Sequence, residues 1–589
     1  MVRALAGWLM VPRPDFPLDR PLIVLSNREP YEHVHKPTGI EVRFPAGGLV
    51  SALDPILRRT QGTWVAWASG NADRMVADDV GRVAVPPDDP SYTLRRVWLS
   101  ESDVEGFYLG FANSTLWPLC HLFVNMIDIR RSNWESYERA TRMFAAAVVN
   151  EAQCVGGAPM VWVHDYHFAL VPAHVRAAVP GALIHQFWHI PFPPPDVFRI
   201  LPLGVHDALL RGLLGNDLIE FQTDGYARNF IDSVIRSLPE ARVCAEQNLI
   251  ELNGHVTRIG AFPISIDVAE WERLAALPRT TEVCTTLRDR YAPRDRQLVV
   301  SVDRMDYTKG IVRRLRALEH MWTEQPERRG TFTMLIVATP SRTDIPAYAK
   351  LEGDVLAAIS RLNNEFRTQD WTPIVLVHDN VDADLLAGLY RAADVCVVSS
   401  LQDGMNLVAK EFIACRGDGS GVLVLSRFAG AADELDAALL VNPFFIDAFA
   451  DGLAGALTCP SASEGSEWRR CAIASPTRRS TTGSIRSWRL RRRQSISPKV
   501  TDAACDGSLA ARHRPPSRWA ATDHNAGHRR DALRHRRARG RRADPARCTA
   551  RATYARFTLH GRNSSRIRDR QVGRRRSPHA ARRRRGHLW

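Results

Sequence analysis

Eight short apolar runs, rich in β-branched residues, recur between positions 21 and 425, and their spacing constrains the fold more than any other feature. They are 21–26 (PLIVLS), 161–163 (VWV), 183–188 (LIHQFW), 298–302 (LVVSV), 333–338 (TMLIVA), 374–377 (IVLV), 395–398 (VCVV) and 422–425 (VLVL). Runs of this kind suit strands buried on both faces. Helical periods fill the intervals, as at 134–151, 311–323, 345–366 and 383–392. Buried strands alternating with helices imply parallel sheets covered on both sides. The alternation persists through both halves of residues 1–458, too long for one doubly wound sheet, so two α/β lobes are expected. Pro263–Asp267 is the natural crossover. The predicted organisation is a flexible extension at 1–19, one Rossmann-like lobe at 20–265 and a second at 266–458. No internal repeat is visible.

From Cys459 the texture changes. Residues 459–589 hold 11 Ile, Leu and Val together, and 34 Arg and 1 Lys against 8 acidic residues. That segment carries a net +27, so the chain's formal +15 leaves −12 on residues 1–458. Such a composition buries too little apolar surface to offset ordering entropy, and a disordered basic tail is predicted. An arm that binds nucleic acid would mix Lys with Arg and interleave aromatic residues. The bias towards Arg, whose codons are GC-rich, favours an out-of-frame translation instead, and no functional nucleic-acid binding is expected of this tail.

The ten cysteines are irregularly spaced and form no CxxC pair. In a long chain they read as free thiols, and no structural metal is expected. No apolar run approaches the ~18 residues of a membrane span, and the first residues lack the apolar core of a signal peptide. A cytoplasmic protein without membrane contact is expected; nothing in the sequence sets its oligomeric state, and a homo-oligomer is compatible with it.

Four motifs follow apolar runs directly. Asp403–Phe412 (DGMNLVAKEF) opens a helix after a strand, where free N–H groups and the positive helix end suit a diphosphate. Glu411 lies two turns in, placed to accept from a ribose, although Asp403 could equally serve as a helix cap. Val302–Gly310 (VDRMDYTKG) presents Arg304 and Lys309, a fork and a point charge for the same anion, or a pair of solvated cations. Val161–Phe168 (VWVHDYHF) clusters His164, Asp165 and His167, with poor metal spacing, as sugar-binding groups or a satisfied buried pair. Phe187–Phe198 (FWHIPFPPPDVF) holds His189 at a strand end before a proline-stiffened loop. Weaker signals are Arg28 in LSNREP, Gly47 and Gly48 in PAGGLVSAL, Tyr108 and Trp117 in GFYLGFANSTLWP, and Arg342 in ATPSRTD.

In this order the motifs resemble glycosyltransferase family 20, the trehalose-6-phosphate synthases, over residues 20–458. The resemblance implies a GT-B fold, two Rossmann-like lobes facing across a cleft, with the acceptor lobe first and the nucleotide-sugar lobe second. It implies a retaining transfer of glucose from UDP-glucose to glucose 6-phosphate, with no metal and no cofactor. It implies that His189, Asp403, Arg304 and Lys309 act at the transferred glucose and the donor diphosphate. It places Gly47, Gly48, Val381, Gly404, Met405, Asn406, Leu407, Val408, Ala409, Lys410 and Glu411 around the donor. Arg28, Tyr108, Trp117, Asp165 and Arg342 are implied to hold the acceptor, the arginines through its phosphate. This chain departs from the family's pattern at Gln402, where many members have Arg, at Val381, where many have an aromatic residue, and after Thr458, where a closing helix is expected. The alternatives are a relative using another phosphorylated acceptor, such as a glucosylglycerol-phosphate synthase, and an inactive chain.

Overall fold

The structure, a computed structural model, describes residues 20–45 and 48–459. The expected N-terminal extension, Gly47 and the Arg-rich tail lie outside the described residues. Each of the eight apolar runs contains a strand, and each of the four helical stretches corresponds to a helix: Arg131–Val155, Ile311–Glu324, Pro346–Phe366, with Ile345 as its cap, and Ala383–Ala392.

The strands form two large sheets. The first has ten strands. Its parallel centre runs His255–Ala261, Leu218–Phe221, Leu183–Phe187, Met160–His164, Leu22–Ser26, Thr63–Trp67, Tyr92–Val97. Antiparallel strands finish both edges, Arg82–Val85 on one side, Leu249–Leu252 and Arg242–Cys244 on the other. The second sheet has six strands, all parallel, in the order Ile374–Val377, Phe332–Thr339, Gln297–Arg304, Val395–Val398, Val422–Ser426, Leu439–Val441.

Side-chain alternation divides each sheet between two cores. In strand Leu22–Ser26, Ile23 and Leu25 enter one core with Phe107, Phe144 and Val163, while Leu22 and Val24 enter another with Trp64 and Leu94. In the second sheet Val299, Ile336 and Val397 pack on one face, and Leu298, Val300 and Leu335 on the other. Burying each such side chain stabilises the fold by about 1.5–3 kcal/mol. The chain leaves the first sheet at Ala261, and helix Val268–Ala275, capped by Asp267, already buries Leu274 and Ala275 against the second sheet's core. Among the described residues no helix is long and apolar enough to cross a membrane.

Candidate active site

Each sheet reverses its winding once. In the first, the chain builds outward from Leu22–Ser26 in one direction and from Met160–His164 in the other. In the second, the reversal lies between Gln297–Arg304 and Val395–Val398. Beyond the C-terminal ends of such neighbours the loops part and leave a crevice, the usual ligand site of an open α/β sheet. Arg28 and Asp165 follow the two strands of the first reversal. Arg304 ends one strand of the second, and Asp403 follows the other.

At the second crevice the chain turns sharply after Arg304. Asp306 caps a short turn at Tyr307–Lys309 by accepting from the Thr308 N–H at 3.0 Å. Gly310 then takes a left-handed conformation (φ 68°), and a Cβ there would stand 2.2 Å from the Ser399 carbonyl oxygen. Only glycine satisfies both conditions. The turn brings the Lys309 Nζ to 2.5 Å from Asp403 Oδ2. Ser400 and Asn406 also donate to that oxygen, at 3.0 and 3.1 Å. Burial resists ionisation, but Lys309 and Asn406 outweigh it and bring Asp403 down to about 2.

Helix Leu407–Cys415 begins at Asn406, whose side chain accepts from the Ala409 N–H at 3.3 Å. The N–H groups of Leu407 and Val408 belong to the first turn and lack intrahelical acceptors. Glu411 accepts from the Tyr390 hydroxyl at 2.9 Å, and burial pushes its carboxyl up to about 7. The side chains of Met405 and Ala409 are packed in the core, and Val381 packs against it. The Lys410 ammonium is fully buried, donating to the Ile264 carbonyl at 2.8 Å and to Glu434 at 2.9 Å. The Lys410 side chain, which the resemblance implied at the donor, is thus committed to Glu434 and to the Ile264 carbonyl of the predicted crossover. Gly404 is packed so tightly that a Cβ would meet the His189 carbonyl oxygen at 2.3 Å. The loops of the two sheets thus touch where Asp403 and His189 lie.

At the first crevice Tyr108 and Trp117 come from an unusual element. Residues Val104–Leu116 wind as a π-helix, and the Trp117 N–H donates to the Ala112 carbonyl, five residues back. Such windings are rare and concentrate at functional sites. Nine residues make two and a half turns of an α-helix, at 3.6 residues per turn, and would set the two rings on opposite faces. The wider i→i+5 winding takes more residues per turn, which brings the two rings towards one face, where Arg342 lies beside both. Ser100 and Asp103 form a capping box just before it. Gly106 and Gly110 let it lie against helix Arg131–Val155, where Cβ atoms would meet Ser136 and Asn133 at 2.4 and 2.6 Å.

Arg342 joins this face from the second sheet's side. Its guanidinium lies 4.1 Å from the Trp117 ring centroid, and that of Arg304 lies 5.4 Å away. Burial favours the neutral Tyr108 phenol, but the charges of Arg342, Arg28 and Arg304 outweigh it and lower its pKa. Burial, reinforced by Arg342 and Arg28, holds His167 well below the usual range, hence neutral. Asp165 accepts from the N–H groups of Tyr166 and His189 at 3.0 and 3.3 Å, yet burial pushes it up to about 7. His189 Nε2 lies 3.1 Å from His164 Nδ1, and burial brings its pKa down to about 4. Both ring nitrogens of His167 and the Trp117 indole N–H are buried without a hydrogen-bond partner among the described residues.

The structure thus brings Arg304, Lys309, Asp403, Gly404, His189, Asp165, Arg342, Trp117, Tyr108 and Arg28 around the two crevices. Gly48 begins helix Gly48–Thr60. Sequence reasoning missed Asp306 and Tyr348, both buried beside Arg342, although Asp306 stands inside a motif already singled out. It also missed the π winding. Among the described residues no group of three or more His, Cys, Asp or Glu is placed to hold a metal ion.

The sequence profile described as Glycosyltransferase family 20 matches residues 20–482. This chain belongs to glycosyltransferase family 20. The match runs past Thr458, beyond where the sequence pattern ended the fold. A bifunctional trehalose-6-phosphate synthase/phosphatase of Thermoproteus tenax is 38% identical over 458 residues, covering 76% of this chain and 60% of that protein. An alpha,alpha-trehalose-phosphate synthase (UDP-forming) of Zygosaccharomyces rouxii is 36% identical over 455 residues, covering 76% and 90%. Among solved structures, the UDP-forming synthase of Burkholderia xenovorans in complex with glucose-6-phosphate superposes with a TM-score of 0.70 at 32% identity, covering 80% of this chain and 100% of that one. The E. coli protein bound with UDP-2-fluoro glucose gives 0.68 at 30% identity, covering 80% and 98%. The chain has the GT-B fold of these enzymes.

Proposed function

We propose that the facing crevices carry out the retaining transfer of glucose from UDP-glucose to glucose 6-phosphate, releasing UDP and trehalose 6-phosphate. The observation that carries this reading is a pair of cation clusters about one aromatic wall. Arg304 and Lys309 suit a diphosphate; Arg342 and Arg28 suit the phosphate of a sugar. The ligands held by the two solved relatives, glucose-6-phosphate and a UDP-glucose analogue, match that division. We read residues 20–265 as the acceptor lobe and 266–458 as the nucleotide-sugar lobe, with Arg342 reaching from the second into the first one's site.

In this reading Arg304 grips the donor diphosphate as a fork and Lys309 as a point charge. The amides of Leu407 and Val408 add the helix end, and Glu411 accepts from the ribose. Tyr108, Trp117 and Asp165 hold the acceptor sugar, with its phosphate on Arg28 and Arg342. Asp403 and His189 meet the transferred glucose. An Asp403 carboxylate held at about 2 and committed to Lys309 is a poor base and a poor nucleophile. His189, at about 4, is a neutral hydrogen-bond partner at pH 7 rather than a proton donor. The departing phosphate oxygen is then the group suited to take the acceptor's proton, by front-side attack through an oxocarbenium-like pair. Negative charge grows on UDP as the glycosidic bond breaks, and Arg304, Lys309 and the helix end stabilise it. Loop contact at Gly404 and His189 keeps water from the reacting carbon.

The test is UDP release by the purified chain, with glucose 6-phosphate and with glycerol 3-phosphate as acceptor. Release that depends on glucose 6-phosphate supports the reading. Preference for glycerol 3-phosphate, or no release with either, overturns it.

A further inference from the structure

Asp306 is fully buried, its carboxyl is held below the usual range, and no substrate contact is assigned to it above. Its two oxygens have divided duties. Oδ1 accepts from the Thr308 N–H and from the Thr308 hydroxyl, both at 3.0 Å, and so fixes the turn that aims Lys309. Oδ2 faces the other way. Arg342 Nη1 and the Tyr348 hydroxyl donate to it at 3.3 Å, and Arg304 Nη2 forms an ion pair with it at 3.7 Å. The Tyr348 hydroxyl also accepts from Arg342 at 2.7 Å. Burial resists ionisation of Asp306, but Arg304, Arg342 and the Thr308 N–H outweigh it and keep the carboxyl charged.

Arg304 ends strand Gln297–Arg304, Arg342 lies in the loop after strand Phe332–Thr339, and on the reading above they serve different substrates. Both guanidiniums crowd the same indole ring of Trp117. Two like charges so placed repel and would drift towards solvent without a shared counter-ion. We propose that Asp306 is the positioning residue common to both substrate sites. One buried carboxylate holds the donor-phosphate arginine and the acceptor-phosphate arginine in the cleft, while its other oxygen sets the turn carrying Lys309. The two phosphate sites are then organised by one residue that contacts neither substrate. Holding the forks ready lowers the ordering cost of each binding step. The inference rests on the function proposed above.

The test is Asp306→Asn in the full chain. Asn keeps an oxygen for the Thr308 N–H and the side-chain volume, but removes the charge that both arginines share. The KM values for UDP-glucose and glucose 6-phosphate, kcat, and the Kd of UDP alone are measured together with the melting temperature. Both KM values and the UDP Kd are expected to rise about five- to fifty-fold, the range of a lost charge-assisted contact, with a smaller fall in kcat and little change in melting temperature. A rise in only one KM, no change in either, or tighter UDP binding overturns the proposal. Should the Asn variant not fold, Tyr348→Phe removes one hydroxyl from the same cluster. It should raise the glucose 6-phosphate KM about two- to five-fold, as for one hydrogen bond, and an unchanged KM overturns the proposal. If the unaltered chain releases no UDP from these substrates, the functional reading fails instead, and UDP affinity alone still tests the role of Asp306.

Discussion

The two crevices are built by opposite strategies. On the function proposed above, the donor side draws its charged groups from two short contiguous stretches, 304–310 and 403–411, each following a strand in the all-parallel sheet. On the same reading the acceptor side gathers Arg28, Tyr108, Trp117, Asp165 and Arg342 from segments spread over more than three hundred positions, one of them on the other sheet's side. The donor side therefore relies on local geometry: a capped turn, a left-handed glycine, a helix end. The acceptor side relies on packing, above all on a π-helix pressed against a long neighbour. Damage to the first should act on chemistry, and damage to the second on recognition.

The largest expected effect follows from the donor side. Lys309→Ala removes a charge from the leaving phosphate and leaves buried Asp403 without its ion-pair partner. Transfer should fall about 10²–10³-fold, mostly in kcat, as when a preorganised stabilising group is lost. UDP-release kinetics at saturating substrates check this, and near-normal turnover would remove Lys309 from the mechanism.

On the acceptor side, Arg342→Ala should leave donor binding the less affected. The glucose 6-phosphate KM should rise about 10–100-fold, in line with losing a forked phosphate contact. Equal rises in both KM values would erase the contrast between the crevices, and would locate it instead at their shared carboxylate.

Gly110→Ala tests whether packing really governs the acceptor side. The new Cβ would stand 2.6 Å from Asn133, so the π-helix must shift. A destabilisation of about 1–3 kcal/mol is expected from overpacking. The acceptor KM should rise several-fold with the donor KM unchanged, because Tyr108 moves and the second sheet does not. Denaturant titration and two-substrate kinetics on one preparation separate the two effects.

The same contrast explains what the sequence discloses. The strand runs were legible because burial on both faces leaves unbroken apolar stretches, and the donor motifs because strand, turn and helix cap are adjacent in sequence. Strand Tyr92–Val97 was hidden because it carries Arg95 and Arg96, which read as surface. Arg96 is fully buried, paired with Glu29 at 2.8 Å and Asp73 at 2.9 Å. Strand Leu218–Phe221 likewise contains the buried Glu220. The π winding has no periodic signature, since it is held by close packing on helix Arg131–Val155 that Gly106 and Gly110 permit. Asp306 stood in a recognised motif, but its role depends on Arg342 and Tyr348, which only the tertiary fold brings near. Lys410 is the opposite case: the motif offers it as a cation for the cleft, while the fold commits its buried ammonium to Glu434 and to the Ile264 carbonyl.

The smallest effect separates the crevices by pH. Glu411, raised by burial to about 7, is a neutral acid below that pH and a carboxylate above it. A carboxylate accepts more strongly from ribose hydroxyls than the acid does. The UDP-glucose KM should therefore fall a few-fold as pH rises through 7, since one charge-assisted bond is gained. The donor diphosphate does not titrate near neutrality, so the trend belongs to the protein. Asp165 also stands at about 7, but on the acceptor side, and its titration should appear in the glucose 6-phosphate KM. Glu411→Gln distinguishes the two. It should hold the donor KM at its low-pH value throughout, and leave the pH dependence of the acceptor KM in place. A donor KM that still follows pH in that variant would mean that Glu411 does not meet the ribose, and that the donor side is less self-contained than its contiguous motifs suggest.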